Sequence, residues 1–93
     1  MNDTTVTKND EQSRYEAHVN GKLAGFADFR REGNIVVMPH TEVFDPFSGK
    51  GVGSALARCA LDDIASHNLP VRPDCTFIKG WLDNHPDHPV KVA

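Results

Sequence analysis

Apolar and polar residues alternate with a period of two near the start of the chain, which predicts strands. Tyr15, Ala17 and Val19 alternate with polar side chains, as in a strand with one buried face. Asn20-Gly21 comes next and is a strong signal for a two-residue hairpin turn. The run from Lys22 to Arg31 is therefore predicted as the second strand of a hairpin.

A third strand follows the turn at Gly33-Asn34. It begins at Ile35 and is predicted to run through Pro39 towards Val43. The first half of the chain is therefore predicted as an antiparallel meander.

The period changes to 3.6 residues in the middle of the chain, which predicts the main helix. This helix is expected from about Gly51 to His67, and Cys59 lies within its apolar stripe as a predicted buried packing residue. The stripe consists of Val52, Ala55, Leu56, Cys59, Ala60, Asp63 and Ile64.

Two short elements complete the pattern. Leu69 to Val71 is predicted as a fourth strand, and Thr76 to about Asn84 as a second helix that Pro86 stops. Its predicted apolar face consists of Phe77, Ile78, Trp81 and Leu82. Trp81 is expected to pack this helix onto the sheet.

The predicted order β-β-β-α-β-α describes one α/β domain. Its antiparallel sheet has about four strands, with one main helix and one short C-terminal helix. Residues 11–88 are assigned to the domain, residues 1–10 to a flexible lead-in and residues 89–93 to a loose tail.

Composition narrows the class of protein further. A chain of 93 residues is long enough for one domain. Its net charge of −3 argues against a nucleic-acid partner, because such proteins carry a basic excess. No apolar run reaches the roughly 20 residues of a membrane span, and the first residues lack the apolar core of a secretory signal. With only two cysteines, the expected location is the cytoplasm. The oligomeric state stays open.

The most informative segment joins a strand to the main helix and reads Ser-Gly-Lys-Gly-Val-Gly-Ser from Ser48 to Ser54. Glycines at alternate positions let backbone N–H groups point at one anion, and the helix N-terminus adds partial positive charge. Lys50 adds a cation. The Walker and Rossmann spacings are both absent. A plain flexible connection is the alternative.

Three segments together resemble the GNAT superfamily of N-acetyltransferases, in its short stand-alone YjdJ-type branch. They are His40–Val43, Gly49–Leu56, and Pro73–Ile78 with Trp81–Pro86, and the resemblance covers about residues 12–88. It implies a minimal GNAT-like fold, acetyl-CoA as cofactor and an amine as acceptor. The cofactor-binding residues that it implies are Val43, Ser48, Gly49, Lys50, Gly51, Val52, Gly53 and Ser54.

The resemblance also places Cys75 near the thioester, as nucleophile or as part of the acyl site. A helix N-terminus after Cys75 favours the thiolate, whereas an inert core thiol is the alternative. Glu42 is the candidate general base, and His40 shares that role or shapes the acceptor pocket. Cys75 with His85 and His88 lacks a fourth ligand, so no metal site is predicted.

The sequence therefore predicts an acetyl-CoA-dependent N-acetyltransferase acting on an unidentified amine. Two alternatives remain: a non-catalytic acyl-CoA-binding module, and a small interaction domain without cofactor. Whether the acetyl group passes directly to the amine or through Cys75 also stays open.

Overall fold

Two sheets and two α-helices make up residues 4–93, the part of the chain that the computed structural model describes. The strands are β1 (Thr4–Asn9), β2 (Arg14–Val19), β3 (Lys22–Asp28), β4 (Arg30–Glu32), β5 (Ile35–Val37), β6 (Thr41–Val43) and β7 (Val71–Arg72). The helices are α1 (Val52–Ser66) and α2 (Thr76–Asp83), and a 3-10 turn covers Asp45–Phe47.

The larger sheet is antiparallel and has the strand order β1-β2-β3-β6. Its β2–β3 hairpin turns at Asn20 and Gly21, which both have positive φ, as the sequence predicted. The smaller sheet has the order β4-β5-β7, with β5 and β7 parallel. The predicted α/β fold with a four-stranded antiparallel sheet is confirmed.

Two predicted strands are each divided between the sheets. The second breaks at Phe29, whose N–H donates to the carbonyl of Ser13 and not to a ladder partner. The third breaks at residues 38–40, because Pro39 has no N–H with which to continue the ladder. Just before it, the Met38 N–H donates to the carbonyl of Arg72 in β7, so β5 belongs to the smaller sheet and β6 to the larger one.

Helix α1 packs on the larger sheet, but its buried stripe is turned relative to the prediction. Both stripes share Val52, Leu56, Ala60 and Ile64. Burial extends from these residues to Ala57 and Leu61, and Cys59 is exposed. The predicted burial of Cys59 is therefore wrong. Leu61 offers more apolar area to the core than Cys59 on the opposite flank, which favours the observed rotation.

Both ends of the described chain form backbone hydrogen bonds with the sheets. Residues 4–9 form β1, paired with β2, where a flexible lead-in was expected; residues 1–3 lie outside the described part. The expected loose tail also carries structure. Val90 is buried, the Val71 N–H donates to the Lys91 carbonyl, and the Ala93 N–H donates to the Val71 carbonyl. Apolar Val90 fills the core beside β7 and fixes the tail there.

Candidate functional site

The glycine-rich loop between the 3-10 turn and α1 has a backbone that requires glycine at two positions. Gly49 has φ 75° and Gly51 has φ 78°, both in the left-handed region. An L-residue with a Cβ pays a steric cost there, whereas glycine does not. Gly51 is also the N-cap of α1.

The first turn of α1 presents donors with no partner inside the helix. The helix ladder opens with the Ala55 N–H, which donates to the Gly51 carbonyl at 3.0 Å. The N–H groups of Val52, Gly53 and Ser54 precede that bond and lack intrahelical acceptors. Gly51 supplies no side-chain cap, and this turn contains no acidic residue. The loop therefore combines free donor capacity with the positive end of the helix dipole.

A cleft of about 290 Å³ lies over this loop. Its lining consists of Val43, Phe47, Ser48, Gly49, Gly51, Val52, Gly53, Ser54 and Phe77. All the cofactor-binding residues expected from the sequence line it except Lys50, which is exposed beside it. The structure thus brings that set together around one concave surface.

Strand β6 leads into the cleft as an edge strand. It pairs with β3 on one side, and within residues 4–93 no strand pairs with its other side. On that other side, the segments that follow β5 and β7 stay together as far as Met38, whose carbonyl accepts a hydrogen bond from the Cys75 N–H at 2.9 Å. After this hydrogen bond the two segments separate: one continues into β6 and the other into α2. The resulting opening exposes unpaired backbone groups of β6 next to the loop.

Cys75 lies at the closed end of that separation, as the N-cap of α2. Its side chain belongs to the core cluster, and the residue is 8% exposed. Cys75 does not line the loop cleft.

Glu42 and His40 lie close to each other, outside the loop cleft. Glu42 is on β6, and His40 immediately precedes that strand. Glu42 Oε1 is 3.3 Å from His40 Nε2, and both side chains are about half exposed. Glu42 pairs with Phe26 in the sheet, and its neighbour Val43 packs against the core on the other face. The structure therefore pairs these two candidates with each other, but does not bring them into the loop cleft.

Phe77 is the lining residue whose role the sequence did not reveal. It was predicted on the buried face of α2, yet it is 42% exposed. A Cβ built on Gly53 would lie 2.8 Å from Phe77 Cζ, so the ring rests directly on the start of α1. An isolated glycine inside a predicted helix, as at Gly53, suggests a packing reason at that position, but it does not identify Phe77 as the neighbour.

The histidines near the end of α2 are held by other partners. His85 Nδ1 lies 2.7 Å from the Trp81 carbonyl and its ring stacks on Trp81, while His88 Nε2 lies 2.7 Å from Asp62 Oδ1. Trp81 itself is buried in the core cluster. Among residues 4–93, no three His, Cys, Asp or Glu side chains group as metal ligands would. In the same range, no helix has the length and apolarity to cross a membrane.

Comparison with known sequences identifies a family. A family described as GCN5-related N-acetyl-transferase matches residues 14–91. The protein NATD1 of Homo sapiens is 35% identical over 52 residues, covering 56% of this chain and 46% of that protein. NATD1 of Gallus gallus shows the same identity over 47% of its length. The match therefore spans about half the length of these relatives.

Comparison with solved structures supports the fold. A Staphylococcus aureus protein described as GCN5-like superposes with a TM-score of 0.73 at 19% identity, over 96% of this chain and 87% of that one. Ard1 from Thermoplasma volcanium gives a TM-score of 0.61 at 26% identity, over 68% of this chain and 44% of that one. At these identities the first likeness is one of fold.

Proposed function

We propose that this chain, which belongs to the family of GCN5-related N-acetyltransferases, transfers the acetyl group of acetyl-CoA to an amine. The observation that carries the proposal is the loop cleft, where a glycine loop and an uncapped helix N-terminus meet. Such a surface is suited to the two adjacent phosphates of a pyrophosphate.

The residues of the loop fit this cofactor for separate physical reasons. The backbone N–H groups of Val52, Gly53 and Ser54 supply donors for phosphate oxygens, and the bond to a charged acceptor is a strong one. Gly49 and Gly51 keep side chains away from the backbone that the phosphates approach: a Cβ at either would meet no protein atom within 4 Å. Lys50 would add positive charge near them.

The open edge of β6 is the proposed place for the pantetheine arm. That arm contains two amide groups, which can hydrogen-bond to the backbone of Val43 and its neighbours as a further strand would. Bound in this way, acetyl-CoA supplies an activated thioester. The open edge of β6 leads from the loop towards the backbone hydrogen bond between Cys75 and Met38. The acyl end of acetyl-CoA would lie there.

Glu42 is the proposed base that removes the proton of the amine, with His40 as its partner. Their contact of 3.3 Å orients the Glu42 carboxylate, and their exposure leaves the pair accessible to an acceptor. Cys75 would line the acyl end. Most of the rate would then come from holding thioester and amine together.

A second candidate function is a non-catalytic acyl-CoA-binding module. One observation favours it: none of the side chains that line the loop cleft is titratable, and Cys75 is buried. In this case the loop would bind acetyl-CoA as above, but no proton transfer would follow. The two functions share the binding step and differ only in turnover.

Calorimetric titration of acetyl-CoA tests the shared step. Gly51→Asp should abolish binding, because it places a negative charge where the phosphates approach. Gly21→Asp is a matched control: its φ of 81° is nearly that of Gly51 and its Cβ also meets nothing within 4 Å, but it lies in the β2–β3 turn. The control should bind like the wild type. Equal affinity of all three proteins would refute the assignment of the loop.

Release of free CoA in the presence of amine acceptors then separates the two functions. Amine-dependent release that Glu42→Gln reduces at least tenfold supports the transferase. Binding without any release over a panel of primary amines supports the binding module.

A further inference from the structure

The face of the larger sheet that points away from α1 carries aromatic rings that do not belong to the core. The ring centres of Phe26 and Phe44 lie 6.2 Å apart on this outer face, and the His40 ring lies 6.0 Å from that of Phe26. Neither phenylalanine is part of the core cluster, and both are partly exposed. Contiguous apolar surface of this kind is where ligands bind.

The sheet register places carboxylates around Phe26. Phe26 pairs with Glu16 on β2 and with Glu42 on β6, so these three side chains form one row across the outer face. Asp28 follows Phe26 by two residues on β3 and therefore lies on the same face. Glu42 and Asp28 occupy diagonal positions on neighbouring strands, roughly 7–8 Å apart.

These carboxylates are not equally neutralised. Arg14 Nε donates to Glu16 Oε2 at 2.7 Å, and the Arg14 guanidinium carbon lies 4.7 Å from the centre of the Phe26 ring. Arg14 is opposite Asp28 in the register, but within residues 4–93 no Lys or Arg forms an ion pair with Asp28 or Glu42. The side of Phe26 that faces these two carboxylates therefore keeps its negative charge. The contact with Arg14 shows in addition that the ring accepts a cation.

We propose that this surface binds an aliphatic diamine as the acceptor of the acetyl group, with one amine at Glu42 and the other at Asp28. We call it the outer-face cluster, and it consists of Phe26, Asp28, His40, Glu42 and Phe44. This inference rests on the proposed function, which makes Glu42 the base.

The shape and charge of the outer-face cluster fit such a ligand. At bond lengths of about 1.5 Å, about four or five methylene groups span the distance between the positions of Glu42 and Asp28. The methylene chain would cross the Phe26 ring, which attracts an ammonium group as it attracts Arg14. A monoamine of the same length would leave Asp28 without a counter-charge.

Titration of the 93-residue chain with 1,4-diaminobutane and with butylamine tests the need for a second charge. Amide NMR spectra, recorded with and without coenzyme A, report both the affinity and the location. The diamine should bind about fivefold more tightly than butylamine, because it adds an ion pair and a cation–π contact. The amides of Phe26, Asp28 and Glu42 should shift. Raising the salt concentration from about 0.1 M to about 1 M should reduce the preference, because exposed charges are screened.

Three variants assign the preference to named residues. Asp28→Asn keeps the size of the side chain but removes its charge, so it should lower the affinity for the diamine to that for butylamine. Asp83→Asn is the matched control: it removes an exposed carboxylate from α2 and should leave both affinities unchanged. Phe26→Leu should weaken both amines, because both lose the ring beneath their chain. It lies outside the core cluster and provides the test if the Asp28 variant does not fold.

Release of coenzyme A from acetyl-CoA separates this inference from the proposed function. A kcat/KM about fivefold higher for 1,4-diaminobutane than for butylamine, lost in Asp28→Asn through a higher KM, supports the diamine as acceptor. Equal affinity and equal kcat/KM for the two amines would overturn the diamine site and leave the transferase standing. Binding of the diamine without release of coenzyme A would refute the acceptor role and the transferase together.

Discussion

The two cysteines differ in exposure, and this difference predicts the order in which they react. Cys59 is exposed on α1, whereas Cys75 is buried at the start of α2. We expect iodoacetamide to label Cys59 first in the native protein. Partial burial and the nearby Asp62 carboxylate raise the pKa of Cys59, so its labelling should still accelerate when the pH rises past about 8.5, the ordinary pKa of a thiol.

Mass spectrometry of the two cysteine-containing peptides measures both rates in one sample. In denaturant the two rates should converge, which serves as the control. Faster native labelling of Cys75 would contradict the buried position and would mean that the separation between β6 and α2 opens as far as its thiol.

The helical glycines Gly53 and Gly80 should respond in opposite ways to alanine. Gly80→Ala should raise the free energy of unfolding by about 0.5–1 kcal/mol, because alanine is the better helix former and its Cβ has open space. Gly53→Ala should show no such gain, because its Cβ would lie 2.8 Å from the ring of Phe77. Urea unfolding measures both changes, and adding Phe77→Ala to Gly53→Ala should restore part of the gain. Equal gains in both single variants would contradict the contact.

The side-chain contacts that join α1 to the larger sheet should depend on pH in both the acidic and the alkaline range. Tyr15 Oη donates to Asp63 Oδ2 at 2.7 Å, and Lys8 Nζ lies 3.3 Å from the same oxygen. Desolvation opposes ionisation of Asp63, but the Tyr15 bond and the Lys8 charge outweigh it and hold the pKa of Asp63 below its usual value. Burial, then the bond to Asp63, raises the pKa of Tyr15.

These two pKa shifts determine the direction in which the stability of the fold changes with pH. The lowered pKa of Asp63 contributes stability at neutral pH that is lost as the pH falls below about 4. The raised pKa of Tyr15 contributes stability that is lost as the pH rises above about 10. Tyr15→Phe keeps the ring but removes the bond, so we expect it to lower the free energy of unfolding by about 1–2 kcal/mol at pH 7 and to flatten the alkaline loss. Denaturant unfolding from pH 3 to pH 11 measures this, and an unchanged alkaline limb would refute it.

The elements were predictable where a local pattern defines them. The 3.6-residue period located α1 within a residue or two, and Asn20-Gly21 defined the β2–β3 turn. Pro39 is visible in the sequence, but the sheet that each half of the divided strand joins was not predicted, because it depends on the pairing of β5 with the distant β7. The rotation of α1 that exposes Cys59 likewise depends on which flank packs better against the sheet, and both flanks satisfy the same period.

The candidate site shows the same division between local and long-range information. The loop from Ser48 to Ser54 was readable because glycine spacing and the start of a helix are local features. The ring of Phe77 reaches that loop only through the packing of α2 against α1, which no spacing reveals. The positions of Glu42 and Cys75 relative to the cofactor stay predictions until a ligand is bound.

Ligand binding should change the stability of the whole domain, because a chain of 93 residues has a small core. At a concentration of 100 times the Kd, coenzyme A should raise the free energy of unfolding by about 2.7 kcal/mol. For a domain of this size that corresponds to a rise in Tm of about 10–20 °C. Thermal unfolding followed by circular dichroism measures the shift.

Two variants with similar backbone strain test where coenzyme A binds. The Gly21→Asp variant should show the same rise in Tm as the wild type. The Gly51→Asp variant should show none, because only this variant carries its negative charge in the loop. An equal rise in both variants would mean that coenzyme A stabilises the protein from somewhere other than the loop cleft.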